Sequence, residues 1–540
     1  MLLLLCTLLF AAPASTHPAH SVARPRLAVV MVIDQFSAQL LTRLRPHLAT
    51  GGFTRFLDEG AFYADARYRY LDTATAPGHA VVSTGAYPND TGIVDNIIWD
   101  RTHEQPISIL HDDAHPALGR NKVETLEDTS PRTLLVDTLG DELGLASAGR
   151  SKVVTIAYKS RSAILLAGHA GGAYWISDRG GALTTSTWYR AKLPAWAEAF
   201  NAKKVADTFH GKKWTAQLHE AEYASATDDD AAWEDGAHGL GVKFPHPVAG
   251  DGEAFYTALF ATPLGSDVLL SAALAAVAGE SLGQDEFPDL LGVSLTANDY
   301  VGHHFGYHSR EAEEALLDTD RQLAAFFAQL DKMIGRDRYV AVLTGDHGAA
   351  PIPEYAEARH LDAGRVTTKA ITATITAALN AKYGTGAWID GAEYPSVYLS
   401  HQLIEQHGLA LDDVERVAAK AALTLHGLAR AVAEGDLETA PDLFLSSYPG
   451  RSGDVLIAPA PFWIWGYWAD LGKGTTHDSG YAYDNHVPLG LWGPAFVRAG
   501  RHTDRVDPAQ VAPTLAEILG IEAPAAARGG ILPGALKTAP

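Results

Sequence analysis

Leu27-Ala-Val-Val-Met-Val-Ile-Asp34 is an unbroken apolar run that stops on a carboxylate. A run of this kind, rich in Val and without polar alternation, reads as a parallel strand buried on both faces. Two other stretches repeat the form: residues 290–299 (LLGVSLTAND), with His303 shortly after Asp299, and residues 339–347 (YVAVLTGDH). In open parallel sheets the ligand site lies beyond the carboxyl ends of the strands, so the three acidic ends are expected on one edge. Carboxylates and imidazoles gathered there repel one another or stay unsatisfied unless a cation joins them. Mixed Asp and His ligation favours zinc.

Around these runs the chain alternates between periods. Helices are expected over residues 131–145 (PRTLLVDTLGDELGL), 266–279, 311–334 and 509–519, helix and loop over 38–58, and strands over 152–158 and 487–492. Strand–helix–strand alternation predicts an α/β sheet. Two stretches interrupt it. Residues 189–251 are polar and carry the acidic run Asp228-Asp-Asp230; residues 351–474 hold helix-like segments (TKAITATITAAL and 412–423) around a strand-like 394–399. The second lies between candidate ligand groups and is read as a cap or insertion near the mouth of the site. With no internal repeat, one elaborated domain over residues 24–535 is expected.

The chain has 540 residues, 47% hydrophobic and 20% charged, with a formal net charge of −22. That is globular composition. The acidic balance argues against nucleic acid as a specific partner, since such binding needs a basic surface. Residues 1–14 (MLLLLCTLLFAAPA) pair a short apolar core with a small-residue Ala12-Pro-Ala14 pattern, the form of a secretory signal, so a periplasmic or secreted address is expected. The single cysteine, Cys6, falls inside it, and the mature chain would then have neither a disulfide nor a membrane anchor.

Each candidate residue has a bland reading beside the functional one. Asp34 at a strand end is often only a helix N-cap. Asp299 and His303 are four apart, so both project from one face if Asp299 opens a helix. Asp346-His347 sits between Gly345 and Gly348, where the backbone can turn sharply. In Thr73-Ala-Thr75-Ala-Pro77-Gly78-His79, Pro77 suits a first helical turn. Thr75 is there either an N-cap or a hydroxyl at the positive end of the helix, able to act as a nucleophile beside a metal; His79 reads as a structural contact. Lys159-Ser-Arg161 follows a strand, and in an extended segment residues two apart point to one side, giving a cationic fork for phosphate oxygens. Asn96 offers a neutral donor.

Asp34, T-A-P-G-H at residues 75–79, Asn96, Lys159-Ser-Arg161, D-Y-V-G-H at residues 299–303 and D-H-G at residues 346–348 occur in the order seen in the alkaline phosphatase superfamily. The chain resembles its phosphate-irrepressible, PafA-type zinc alkaline phosphatases, which use a threonine nucleophile, over residues 28–519. The resemblance implies a three-layer alkaline-phosphatase-like fold with a mostly parallel sheet, helices on both faces and inserted cap segments. It implies two zinc ions, one on Asp34, Asp346, His347 and the Thr75 oxygen, the other on Asp299, His303 and a late histidine. That histidine is placed at His477 in Thr475-Thr-His477-Asp478, where the family usually has glycine in place of Asp478; His486 is the fallback. The implied reaction is hydrolysis of small phosphate monoesters through a phosphothreonine, with Asn96, Lys159 and Arg161 binding the substrate. The alternatives are a nucleotide pyrophosphatase/phosphodiesterase of the same superfamily and a non-catalytic secreted binding protein on the same fold. A mutase-like isomerase fits less well, because that relative uses a serine nucleophile and a cytoplasmic address.

Overall fold

The run at Leu27–Ile33 forms β1, all seven of its residues buried, at the middle of a nine-stranded sheet. The computed structural model describes residues 24–223 and 226–537, so the leader-like segment 1–14 lies outside the described residues. In chain order the other strands of this sheet are β2 (Ala61–Arg67), β3 (Val153–Ala157), β4 (Gly172–Ile176), β5 (Leu183–Thr184), β6 (Asp289–Leu295) and β7 (Tyr339–Gly345). After four strands of a second sheet, β8 (Ile389–Glu393), β9 (Ser396–Leu399), β10 (Leu428–Ala433) and β11 (Val455–Pro459), come β12 (His486–Trp492) and β13 (Gly500–Val506). The spatial order is β13-β2-β12-β7-β1-β6-β3-β4-β5. β7, β1, β6, β3 and β4 run parallel, while β12 and β5 are antiparallel to their neighbours.

Register decides where the site falls. Ile33 lies opposite Leu295 on one side and Gly345 on the other, and Ala157 lies opposite Ser294. The four strands therefore end at one level, and the residues that follow them emerge along one edge. Both faces of β1 are covered, as its lack of alternation predicts. Leu27, Val29, Met31 and Ile33 pack with α3 (Pro263–Gly279) and α5 (Arg310–Met333) through residues such as Val268, Leu316 and Phe327. Ala28, Val30 and Val32 share the opposite cluster with Val511, Leu515 and Leu519 of α8 (Val511–Leu519). On that second side α1 (Thr75–Thr84) packs against α2 (Ser160–Ala167) through Ala76, Ala80, Ala163 and Ile164. Another helix, α4 (Ala297–Phe305), starts directly beyond β6.

Two local expectations differ from the structure. The helix expected over 131–145 is confined to Leu139–Ala146, because Thr138 and Asp141 form a reciprocal capping box that starts it there. The strand expected over 394–399 starts at Ser396; Tyr394 and Pro395 instead form the turn between β8 and β9. Within residues 351–474, β8, β9, β11 and β10 pair in that order as an antiparallel sheet. Ile371, Ile375 and Leu379 of α6 (Thr368–Tyr383), with Val414 and Ala418 of α7 (Leu411–Ala422), give that sheet a core of its own.

Candidate metal centre and nucleophile

Beyond the strand ends the charged side chains converge in two groups, each able to offer one ligand atom per residue within 4.8 Å of the others: Asp34, Asp346 and His347, and Asp299, His303 and His477. The first comes from adjacent strand ends, Asp34 after β1 and Asp346-His347 after β7, and all three are 0% exposed. The second combines α4, where Asp299 Oδ1 and His303 Nε2 lie 3.1 Å apart, with the loop that carries His477. The rings of His347 and His477 stack at 3.6 Å, which brings the two groups side by side.

Glycines in the two sequence motifs allow this convergence. A Cβ on Gly78 would lie 2.6 Å from the Asp346 carbonyl oxygen, so α1 can approach β7 only without one. A Cβ on Gly302 would collide with Oε1 of Gln35. Gln35 occupies that space to donate from Nε2 to Asp299 Oδ1 at 2.9 Å, while its backbone N–H donates to Asp346 Oδ1 at 3.1 Å.

The protonation chemistry fits cation ligation. His347 donates from Nδ1 to the Gly348 carbonyl at 2.9 Å and His303 from Nδ1 to the Thr475 carbonyl at 2.8 Å, which leaves each Nε2 as the ligand atom. His347 Nε2, both Asp34 oxygens and Asp346 Oδ2 are buried and held by ion-pair contacts rather than well-formed hydrogen bonds: His347 Nε2 lies 3.3 Å from Asp34 Oδ1, and His79 Nδ1 3.2 Å from Asp346 Oδ2. Burial, with Asp299 and Asp346 close by, pushes the Asp34 carboxyl up. Burial disfavours a charged His347, but Asp346 and Asp34 outweigh it and push its imidazole up to about 10. Burial also opposes a charged Asp299, yet His303 and Lys159 hold its carboxyl well below the ordinary range. His477 is different: burial pushes it down to about 4, so its ring is neutral at any working pH. Buried carboxylate oxygens and imidazole nitrogens gathered this closely are a donor set that could hold divalent metal ions.

Thr75 opens α1 at its first helical position, with Ala74 as N-cap, so its hydroxyl is not spent on capping. It is 2% exposed, and Oγ1 accepts from Lys159 Nζ at 3.2 Å. That ammonium also lies 2.7 Å from Asp34 and 2.6 Å from Asp299. Burial opposes its charge, but Asp299 and Asp34 raise the Lys159 pKa above its ordinary value. Asn96 Oδ1 accepts from the Ala76 backbone N–H at 2.9 Å, committing the oxygen and leaving the amide donors. The extended fork expected at Lys159-Ser-Arg161 is not formed that way. Lys159 is the N-cap of α2 and Arg161 lies in its first turn, because the strand ends at Ala157 and a helix follows at once. Both still line one cavity of about 530 Å³, together with Tyr158, Asp128 and Tyr300.

The bland readings hold for two histidines. His79 is fully buried between the Thr75 carbonyl and Ser294 Oγ, each at 2.9 Å, and lies 3.2 Å from Asp346. His486 opens β12, with Nε2 2.9 Å from the Ala64 carbonyl, away from both groups. Sequence reasoning missed Asp128, whose Oδ2 accepts from Arg161 Nε at 3.2 Å and Ser160 Oγ at 2.8 Å. It also missed Asn298, whose Nδ2 donates to the carbonyls of Asp34 and Gln35 at 3.1 and 2.7 Å, and Trp468, which stacks on His303 at 4.8 Å. None of the three has a local pattern.

A family model described as type I phosphodiesterase / nucleotide pyrophosphatase matches residues 28–481. The chain belongs to that family, within the alkaline phosphatase superfamily. It is similar to alkaline phosphatase PafA of Elizabethkingia meningoseptica, 33% identical over 94% of each chain. A Myroides odoratus protein named calcium-transporting ATPase is 34% identical over 96% of this chain and 95% of its own. A crystal structure of wild-type PafA superposes with a TM-score of 0.88 at 31% identity, covering 96% of this chain and all of that one. The fold is thus the alkaline-phosphatase-like α/β fold, and the chain is a PafA-like enzyme of the superfamily. Among the described residues no single helix is long and apolar enough to cross a membrane.

Proposed function

We propose that this alkaline phosphatase is an exported, zinc-dependent phosphomonoesterase that works through a phosphorylated Thr75. The observation that carries the reading is the position of Lys159 Nζ. It lies 3.2 Å from Thr75 Oγ1 while pairing with Asp34 at 2.7 Å and Asp299 at 2.6 Å, one carboxylate from each ligand group. The hydroxyl therefore lies beside a cation that also pairs with a carboxylate of each candidate metal group.

Asp34, Asp346, His347 and the Thr75 oxygen would hold one zinc ion, and Asp299, His303 and His477 the other. Bound zinc supplies Lewis-acid charge beside the attacking and leaving oxygens. Thr75 Oγ gives up its proton to solvent and attacks phosphorus as the bond to the leaving oxygen breaks, and that oxygen departs with the electron pair and takes a proton from solvent to become an alcohol. Water then attacks the phosphothreonine, releasing inorganic phosphate and restoring Thr75. Lys159, Arg161 and the Asn96 amide hold the non-bridging oxygens by charge-assisted and neutral hydrogen bonds. Asp128 acts through Arg161, orienting its guanidinium. In this reading residues 189–251 and 351–474 are insertions on one catalytic domain, the second a cap near the site. The apolar pattern of residues 1–14 supports a periplasmic or secreted address.

The family description also supports a second reading, phosphodiester or pyrophosphate cleavage on the same residues. The pair of half-buried cations favours the monoester, whose transferred group carries more negative charge. Turnover of an aryl phosphate and its methyl diester, with acid quench of a labelled monoester, separates the readings. Label on Thr75 and a preference for the monoester are expected. An unlabelled Thr75 with faster diester turnover would overturn the proposal.

A further inference from the structure

A second set of buried acids lies in the cap, apart from the catalytic edge. Glu415 on α7, Glu434 directly after β10 and Asp454 directly before β11 bring one carboxylate oxygen each to within 4.8 Å of the others. Glu415 and Asp454 are each 1% exposed, and Glu434 is half-buried. The backbones that carry two of them are tied together, since the Glu434 N–H donates to the Asp454 carbonyl at 2.9 Å.

Asp454 has partners. It accepts from Arg101 at 2.6 Å, from His401 Nε2 at 2.7 Å and from the Leu399 backbone N–H at 2.5 Å. Glu415 differs: its Oε2 is buried without a hydrogen bond. A buried carboxylate with one oxygen left without a hydrogen bond and one oxygen within 4.8 Å of two further carboxylates is costly unless a positive charge completes it. Arg101 and, when protonated, His401 pair with Asp454, which still leaves three carboxylates short of positive charge.

We propose that Glu415, Glu434 and Asp454 form a calcium-class cation site that ties α7 to the strands of the cap sheet. The donors are all hard oxygens, which selects against zinc and for calcium or its chemical kin. Two oxygens bound to one Ca²⁺ at about 2.3–2.6 Å stand no more than about 5 Å apart, a condition this set meets. The half-buried Glu434 is the side from which the ion and its waters enter. The ion neutralises Glu415 and links a helix to two strands distant in sequence, so its effect falls on cap stability and not on the chemistry at Thr75.

The test is equilibrium dialysis of the purified zinc-loaded protein against ⁴⁵Ca²⁺, with thermal unfolding in parallel. The wild type should bind calcium saturably, one ion per chain, and unfold at higher temperature when calcium is present. Glu415→Gln should weaken binding roughly tenfold or more, because affinity follows ligand charge, and should lose the thermal response while keeping monoester turnover. Glu434→Gln, at the more exposed ligand, should do the same if Glu415→Gln fails to fold. His303→Ala should leave calcium binding intact, separating this site from the catalytic edge. Absent saturable binding in the wild type, wild-type calcium affinity in both Gln variants, or loss of calcium with His303→Ala would overturn the proposal. So would a Glu415→Gln protein as stable as the calcium-loaded wild type, which would show that a proton, and not a metal, neutralises Glu415.

Discussion

The two candidate metal groups beyond the strand ends are built differently. Asp34, Asp346 and His347 hang from the ends of neighbouring parallel strands, are fully buried, and carry two carboxylates per imidazole. Asp299, His303 and His477 combine a helix with a loop, carry one carboxylate for two imidazoles, and leave His303 partly exposed. The first group is fixed by sheet register, and its surplus charge drives His347 up to about 10. The second depends on one loop residue, His477, which stays neutral with a pKa near 4. The difference teaches that register can deliver a rigid, charge-rich site from sequence-distant residues, whereas a site assembled from a helix and a loop needs local devices to aim each ring.

Asp478 is one such device. It stands at φ 81°, a left-handed conformation that favours glycine, and its carboxylate meets His477 Nδ1. A carboxylate on the far nitrogen of a ligand histidine fixes the ring and its tautomer.

Substitutions that touch one group, both groups or neither sharpen this contrast. The largest effect is expected from Thr75→Ala, which removes the oxygen shared with the first group. Monoester turnover should fall roughly a thousandfold or more, while zinc remains bound, since three protein ligands persist in each group. Steady-state rates and metal content of the same sample check both halves. Lys159→Ala/Arg161→Ala removes the cation that pairs with both groups. At about 1.5–3 kcal/mol per charge-assisted hydrogen bond, kcat/KM for an aryl phosphate should drop roughly a hundredfold or more, and for the methyl diester much less. Equal losses would mean the pair does not set the preference.

Asp478→Gly should weaken zinc at the second group by roughly tenfold and leave the first group unchanged; competition with a chromophoric chelator resolves the two affinities. The smallest signal is a proton. At pH 8 the metal-free His347 is protonated, because its pKa is raised to about 10, and must lose that proton to bind metal. His477, with a pKa near 4, has none to lose. Filling the first group should therefore release about one proton more from His347 than filling the second releases from His477, measured by calorimetry in buffers of different ionisation enthalpy.

Much of this edge was legible in the sequence because it rests on local pattern. The three apolar runs that end on Asp34, Asp299 and Asp346 became three neighbouring parallel strands or their immediate continuations. T-A-P-G-H announced a helix start, and the helix begins at Thr75. Asp299 and His303 met on one helical face, as their spacing predicts. What sequence could not give depends on tertiary approach. Asp128 reaches Arg161 across 33 positions, Gln35 reaches Asp299 across 264, and Trp468 stacks on His303 from more than 160 positions along the chain. Lys159 and Arg161 were paired on extended-strand reasoning, but a helix begins between strand end and Arg161, and the two still share one cavity because that helix starts at the edge. The capping box at Thr138 was a missed local signal: Asp141 in place of the usual Glu or Gln hid the helix start.

The central claim is that two separate groups flank Thr75, each holding its own zinc ion. Atomic emission on zinc-reconstituted protein tests it most directly, applied to the wild type, Asp346→Ala and His303→Ala. The account predicts about two ions per chain in the wild type and about one in each variant, as expected for a two-metal site with separate ligand sets. A single ion in the wild type, or loss of all zinc from either variant, would contradict it.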